Sequence, residues 1–189
     1  VAGTIVRIST GIGDFSMELL DETAPGTVQN FLNYVNRNDY NGTYIHRAVD
    51  NFVVQGGGFR FRSFEGPIDV PSDPPIQNEF GVSNTRGTVA MAKLDGDPNS
   101  ATNQWFINLA DNSVILDEQN GGFTVFGRVL GNGMTIVDTM AEAKKYNAST
   151  YYRNGALSEL PLWNLPADNV ILPENFLLIE AVNTGSISL

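Results

Sequence analysis

The chain has 189 residues and a mass of 20.5 kDa, 42% of them hydrophobic and 17% charged, which suits one globular domain around one substantial core. A net charge of −10 and a pI near 4.4 argue against a nucleic-acid partner or an anionic membrane surface, because phosphates would be repelled. With no cysteine and one histidine, disulfide and thiol chemistry are excluded and no typical structural zinc site is expected; no apolar run approaches the ~18–20 residues of a membrane span.

Taken in order, Thr4–Thr10 alternates polar and apolar residues, Gly11–Asp14 turns, and Phe15–Leu20 alternates again, which predicts a hairpin. Asp21–Pro25 reads as a helix start with a capping residue and an early proline, and Val28, Phe31, Leu32 and Val35 recur at helical spacing to about Asn36. Tyr44–Arg47 and Phe52–Gln55 are short apolar runs on either side of Asp50-Asn51, a plausible hairpin turn. Arg60–Pro75, rich in Pro, Ser, Gly and Asp, is expected to be a long loop. Strand character returns at Ile76–Phe80, Gly87–Lys93, Gln104–Leu109 and Phe123–Leu130, and a helical pattern runs from Gly133 to Lys144.

Tyr146–Asp168 has no period and is expected to be an inserted surface loop, anchored by Trp163 and Leu165, within a single domain spanning 1–189. Val170–Val182 is expected to close the fold beside the first strand. Roughly eight strands and two helices are compatible with a mainly β, closed antiparallel barrel.

Strand alternation sets Arg47 on the face opposite His46, and the return strand brings Phe52 and Gln55 toward it. A cation, an aromatic ring and an amide can converge there. The same spacing fits a surface charge, a core ring and a ladder residue, and spacing alone leaves both readings open. As the lone histidine on the other face, His46 is expected to pack rather than act as a base.

Tyr44–Phe59 reads Y-I-H-R-A-V-D-N-F-V-V-Q-G-G-G-F and resembles the F-H-R-x-x-x-x-F-x-x-Q-G-G-D signature of cyclophilins, the peptidyl-prolyl cis-trans isomerases, with Tyr44 for Phe and Gly58 for Asp. Gly87–Leu109 is similar to the family's G-x-x-x-M-A-N-x-x-P-x-x-x-x-S-Q-F-F-I segment, with a longer loop of the bacterial type. Met91, Ala92, Gln104, Phe106 and Ile107 match; Lys93, Asn103 and Trp105 replace Asn, Ser and Phe. Leu116-Asp117 and Val125–Val129 match further segments, so the resemblance covers about Thr4–Lys144 and Val170–Val182.

The resemblance implies a closed eight-stranded barrel capped by two α-helices, and catalysed rotation about Xaa-Pro bonds. It implies Arg47 as donor to the amide nitrogen, Gln55 as its orienting partner, and Phe52, Met91, Phe106 and Leu116 as an apolar slot for the proline ring. Phe123 and Ile115 fall at the rim and Val53 beside the slot. Ala92 and Lys93 would pin the preceding residue through main chain, and Gln104 would support the floor or bind peptide backbone. No cofactor is implied. The partners implied are proline-containing peptides and folding proteins, bound by a monomer. Cyclosporin, an inhibitor of many cyclophilins, is expected to bind weakly because Ile115 stands where sensitive members carry tryptophan. A proline-binding module with little turnover, or a barrel that carries a ligand in its interior, are the alternatives. An envelope or periplasmic location is expected from the bacterial-type loop and the non-methionine start, with the cytoplasm as the alternative.

Three motif-like features carry nothing further. Asp95-x-Asp97-x-Asn99 starts like a calcium loop, but Ser100 occupies the glycine position and Phe106 that of the bidentate glutamate. Gly56–Gly58 lacks any phosphate-loop frame. Asn41-Gly42-Thr43 and Asn147-Ala148-Ser149 fit glycosylation sequons that arise by chance in an Asn-rich chain.

Overall fold

The computed structural model describes residues 3–62 and 65–185. In chain order its strands are β1 (Ile5–Thr10), β2 (Gly13–Leu19), β3 (Thr43–Tyr44), β4 (Arg47–Val49), β5 (Val53–Gly56), β6 (Phe59–Arg62), β7 (Gly66–Asp69), β8 (Thr88–Met91), β9 (Trp105–Asn108), β10 (Val125–Val129), β11 (Lys144–Tyr146), β12 (Leu160–Leu162) and β13 (Leu178–Gly185). The helices are α1 (Pro25–Asn36), α2 (Ser113–Leu116), α3 (Gly133–Glu142) and α4 (Ser149–Tyr152).

The main sheet runs β4-β5-β9-β8-β10-β2-β1-β13-β3-β6-β7, antiparallel throughout. β3 and β4 are one chain segment bent at Ile45-His46, and β5 and β6 another bent at Gly57-Gly58. β3 pairs with β13 and β6 while β4 pairs with β5, and His46 N–H donates to the Gln55 carbonyl at 3.1 Å across the bend. Counting each bent pair as one stave, eight staves close into a barrel, with β7 appended to β6 outside the ring. Gly57 makes its bend possible: its φ is +90°, and a Cβ there would sit 2.7 Å from the Asn103 carbonyl and 2.8 Å from the Trp105 ring.

Alternation fills the interior. Val6 and Ile8 of β1, Met17 and Leu19 of β2, Trp105 and Ile107 of β9 and Phe126 of β10 are buried in one cluster with Phe31, Tyr34 and Val35 of α1 and Val137 and Met140 of α3. The long helices α1 and α3 thus cap the barrel as expected. A filled interior rules against the ligand-carrier alternative.

Four expectations differ from the structure. The residue expected to cap α1 is absent: Ala24 stands at the N-cap without a side-chain bond, and the Glu79 carboxylate accepts instead from the N–H groups of Gly26 (3.2 Å) and Thr27 (2.6 Å). A remote anion at a helix N-terminus meets both the orphan donors and the dipole. Ile76–Phe80 is extended but among the described residues makes only the Ile76–Ala101 bridge, since Asn78 and Glu79 bond side chains rather than a neighbouring strand. The Arg60–Pro75 loop contains the β6–β7 hairpin; Pro67 is tolerated on β7 because that strand lies at the end of the sheet order.

The fourth concerns Tyr146–Asp168, which carries short regular elements and a core of its own: Leu157, Leu160 and Leu162 are buried with Tyr44, Phe59, Ala148 and Phe176 in a second apolar cluster outside the barrel. Trp163 packs against the main core and Leu165 against this second cluster.

Candidate active site

Cross-strand register builds the site. Arg47 stands opposite Gln55, Gln55 opposite Phe106, Phe106 opposite Ala90 and Ala90 opposite Val125. This line crosses β4, β5, β9, β8 and β10 on the outer face of the barrel, where direct neighbours touch. The parallel line one residue along, Gly56–Trp105–Met91, faces inward.

Three polar side chains are linked along the outer line. Arg47 Nη1 lies 3.4 Å from Gln55 Oε1, and Gln55 Nε2 donates to Gln104 Oε1 at 2.8 Å. The second bond fixes which end of the Gln55 amide faces the arginine. Among the described residues, Arg47 Nη2 has no hydrogen-bond partner. His46 is buried edge-on against Phe59 with ring centroids 4.8 Å apart, and among the described residues its Nδ1 has no hydrogen-bond partner. Burial, with the Arg47 charge adding to it, pushes the His46 pKa down to about 3, so the ring is neutral near pH 7. His46 packs, as its place on the inner face predicts.

Beside the polar relay, Val53, Ala90, Phe106, Leu116 and Val125 form an apolar cluster, with Phe52, Val82, Ala92 and Phe123 packed partly exposed against it. Phe106 and Phe123 meet edge to face at 5.9 Å. Phe52 is fixed through its carbonyl, which accepts from Leu109 N and Asn112 Nδ2, both at 2.8 Å. Leu116 and Phe123 are tied together by Phe123 N–H donating to the Leu116 carbonyl at 2.9 Å, and Asn84 braces that turn by donating to Asp117 and to the Phe123 carbonyl.

Of the residues singled out from sequence, Arg47, Gln55, Gln104, Phe52, Val53, Ala92, Phe106, Leu116 and Phe123 gather here. Met91 does not: it is buried in the main core, because on β8 Ala90 and Ala92 take the outer face and leave Met91 the inner one. Lys93 donates to the carbonyls of Asn120 (2.6 Å) and Gly122 (2.7 Å) and lies 4.5 Å from the Phe123 ring centre, so it locks the rim turn; burial lowers its pKa. Ile115 is 46% exposed at the edge of α2, outside the cluster. A cleft of about 380 Å³, lined by Gln55, Ala92, Lys93, Leu94, Thr102 and Gln104 among others, opens beside the relay.

Sequence reasoning missed two residues here. Val82 sits in an aperiodic stretch that gives no signal. Glu159 lies in the segment read as a surface loop, yet its carboxylate is 3.4 Å from Arg47 Nε.

The site thus sets an apolar slot beside a guanidinium contacted at Nη1 and at Nε. The family model for "Cyclophilin type peptidyl-prolyl cis-trans isomerase/CLD" matches residues 5–158. A peptidyl-prolyl cis-trans isomerase of Acinetobacter baylyi is 42% identical over 154 residues, 80% of this chain and 77% of that protein. Peptidyl-prolyl cis-trans isomerase B of Escherichia coli is 36% identical over 176 residues, 90% of this chain and 100% of that protein. A crystal structure of a cyclophilin type peptidyl-prolyl cis-trans isomerase of Cryptosporidium parvum shares the fold at a TM-score of 0.71 and 21% identity, covering 98% of this chain and 99% of that one. The chain belongs to the cyclophilin-type peptidyl-prolyl cis-trans isomerases, enzymes that rotate the peptide bond preceding proline.

Proposed function

We propose that this chain isomerises Xaa-Pro bonds in folding proteins by seating the proline ring among Phe52, Phe106, Leu116 and Phe123 and donating from Arg47 to the amide nitrogen. The amide barrier is ~18–20 kcal/mol, and millisecond turnover from an uncatalysed exchange of roughly a hundred seconds requires about 7 kcal/mol less. Rotation abolishes resonance and leaves a basic, pyramidal nitrogen. A donor aimed there stabilises the transition state and not the planar ground state. Arg47 is always charged, so the step needs no proton relay, metal or cofactor.

The observation that carries this reading is the in-register line Arg47–Gln55–Phe106, which sets a donor next to an apolar slot on rigid strands. Gln55, locked by Gln104, aims the guanidinium. The cleft lined by Ala92, Lys93 and Gln104 takes the peptide preceding the proline. One of the solved cyclophilin structures, at 21% identity, was determined in the presence of the dipeptide Ala-Pro, in keeping with a proline-peptide ligand here. Cyclosporin is held weakly, for want of a ring donor at Ile115. A monomer and an envelope location belong to the same proposal and are tested by light scattering and cell fractionation.

A protease-coupled assay on a Xaa-Pro peptide, with Arg47→Ala beside the natural chain, tests the mechanism. Losing one preorganised donor should lower kcat/KM by about 10²–10³, with the unfolding temperature unchanged. Near-wild-type turnover in the variant would sink the donor role, and little turnover in the natural chain would favour a proline-binding module.

A further inference from the structure

We infer that Glu159 is a positioning residue for Arg47, contributed by the segment between α3 and β13; this rests on the reading of Arg47 as the donor. The residue matched by no motif is the one nearest the guanidinium from that side. It lies one position beyond the stretch that the family model matches.

The guanidinium lies between the Gln55 amide oxygen and the Glu159 carboxylate. Gln55 Oε1 lies 3.4 Å from Nη1, and Glu159 Oε1 lies 3.4 Å from Nε. A hydrogen bond at one nitrogen and an ion pair at another restrain the plane of the fork, and among the described residues Nη2 is left without a hydrogen-bond partner. With Gln55 alone, the side chain could still swing about that single contact.

Glu159 is placed with little freedom of its own. Its main-chain carbonyl accepts from Ala48 N–H at 3.0 Å, the residue next to Arg47, so the two side chains start from bonded backbones. Leu157 and Leu160 on either side of it are fully buried in the second apolar cluster. The Glu159 side chain is 41% exposed and that of Arg47 32%, so the pair lies open to the substrate face rather than sealed in the core.

A carboxylate in this place acts on rate more than on binding. Substrate in its planar ground state is held by the apolar slot, which Glu159 does not touch. The Arg47 donor is used as the amide twists, so loosening it raises the barrier while leaving the Michaelis complex alone. Exposed ion pairs contribute modestly, which sets the scale of the effect.

The test is a double-mutant cycle read by kcat and KM separately. Glu159→Ala should lower kcat about two- to fivefold with KM unchanged. Glu159→Gln, which keeps an acceptor oxygen at the same reach, should recover part of the loss. In an Arg47→Ala background, Glu159→Ala should have no further effect. If turnover in that background is below detection, the Nε–Hε resonance of Arg47 in a ¹⁵N–¹H spectrum decides: it should shift in Glu159→Gln while unrelated arginines stay put. An unchanged kcat in Glu159→Ala, a change in KM alone, the same loss with Arg47 absent, or an unmoved Arg47 resonance overturns the inference. Full turnover in Arg47→Ala would instead overturn the donor reading, so the two failures are distinguishable.

Discussion

The hairpin that carries Arg47 and Gln55 and the segment that carries Glu159 meet at one guanidinium, yet they are built on different terms. The hairpin is two short strands in register with β9, and its important side chains are half-exposed and polar. The segment from Lys144 to Trp163 strings together a strand, a helical turn, a 3₁₀ turn and another strand, and its important side chains are buried leucines. The first region places chemistry on a frame stabilised elsewhere. The second is a small core of its own, laid against Tyr44 and Phe59 at the two ends of that hairpin. Stability and turnover should therefore separate on mutation.

The largest expected effect comes from crossing the two regions. Leu160→Ala empties a fully buried site and should cost roughly 3 kcal/mol of unfolding free energy. Its kcat/KM, measured well below the melting transition, should stay within a fewfold of the natural chain. Arg47→Ala should show the converse, with stability intact and turnover lost. The comparison fails if Leu160→Ala lowers turnover as far as Arg47→Ala does at a temperature where it is folded by denaturant titration.

That contrast also explains what the sequence shows and conceals. Period-two alternation and the turn at Asp50-Asn51 are local, so the Arg47–Gln55 pairing is legible from spacing; Asn51 indeed adopts a φ of +55°. The side that Met91 faces is set by the outward direction of Ala90 and Ala92 in a sheet whose curvature spacing does not reveal. The cap on α1 is Glu79, more than fifty residues from the helix start, and no local pattern can announce it. Tyr146–Asp168 defeats periodicity because its elements are only three or four residues long, and α4 buries none of its side chains while the 3₁₀ turn buries Leu157 alone. Glu159 was hidden for the same reason: its role depends on where Leu157 and Leu160 anchor it. Recognition of family motifs reached the slot and the relay but stopped where the motifs stop.

A second way to sharpen the comparison uses pH. His46 lies on the inner face of the hairpin, and its folded pKa of about 3 is well below the ordinary value of 6.5. The unfolded chain therefore takes up a proton between these values while the folded chain does not. The stabilisation is present above about pH 6.5 and is lost as pH falls toward 3. Between pH 6.5 and 5 the natural chain should lose about 1.5 kcal/mol more than His46→Gln, in denaturant titrations that share every other group. Parallel curves for the two proteins would mean that the imidazole is solvated or charged in the fold, and that the inner face of the hairpin is not dry.

The smallest effect concerns the rim, where Ile115 is proposed to weaken the binding of cyclosporin. Ile115 is half-exposed on α2, next to the buried Leu116 that forms the slot wall, so a larger ring there would stand over the slot without disturbing the core. Isoleucine offers no donor and a smaller apolar face. Ile115→Trp supplies an indole N–H, whose neutral hydrogen bond contributes ~0.5–1.5 kcal/mol, and an aromatic surface whose contact adds a similar amount. Together these should tighten cyclosporin inhibition by roughly tenfold or more, at ~1.4 kcal/mol per decade. Turnover on a Xaa-Pro peptide should change little, since Arg47, Phe52, Gln55 and Phe106 act on the proline itself. Lys93 holds the neighbouring turn through the carbonyls of Asn120 and Gly122, so the rim should keep its shape in the variant. An inhibition titration of both proteins decides it. Low-nanomolar inhibition of the natural chain, or no gain from the tryptophan, would show that the drug's grip on this surface depends on the slot and relay rather than on the rim.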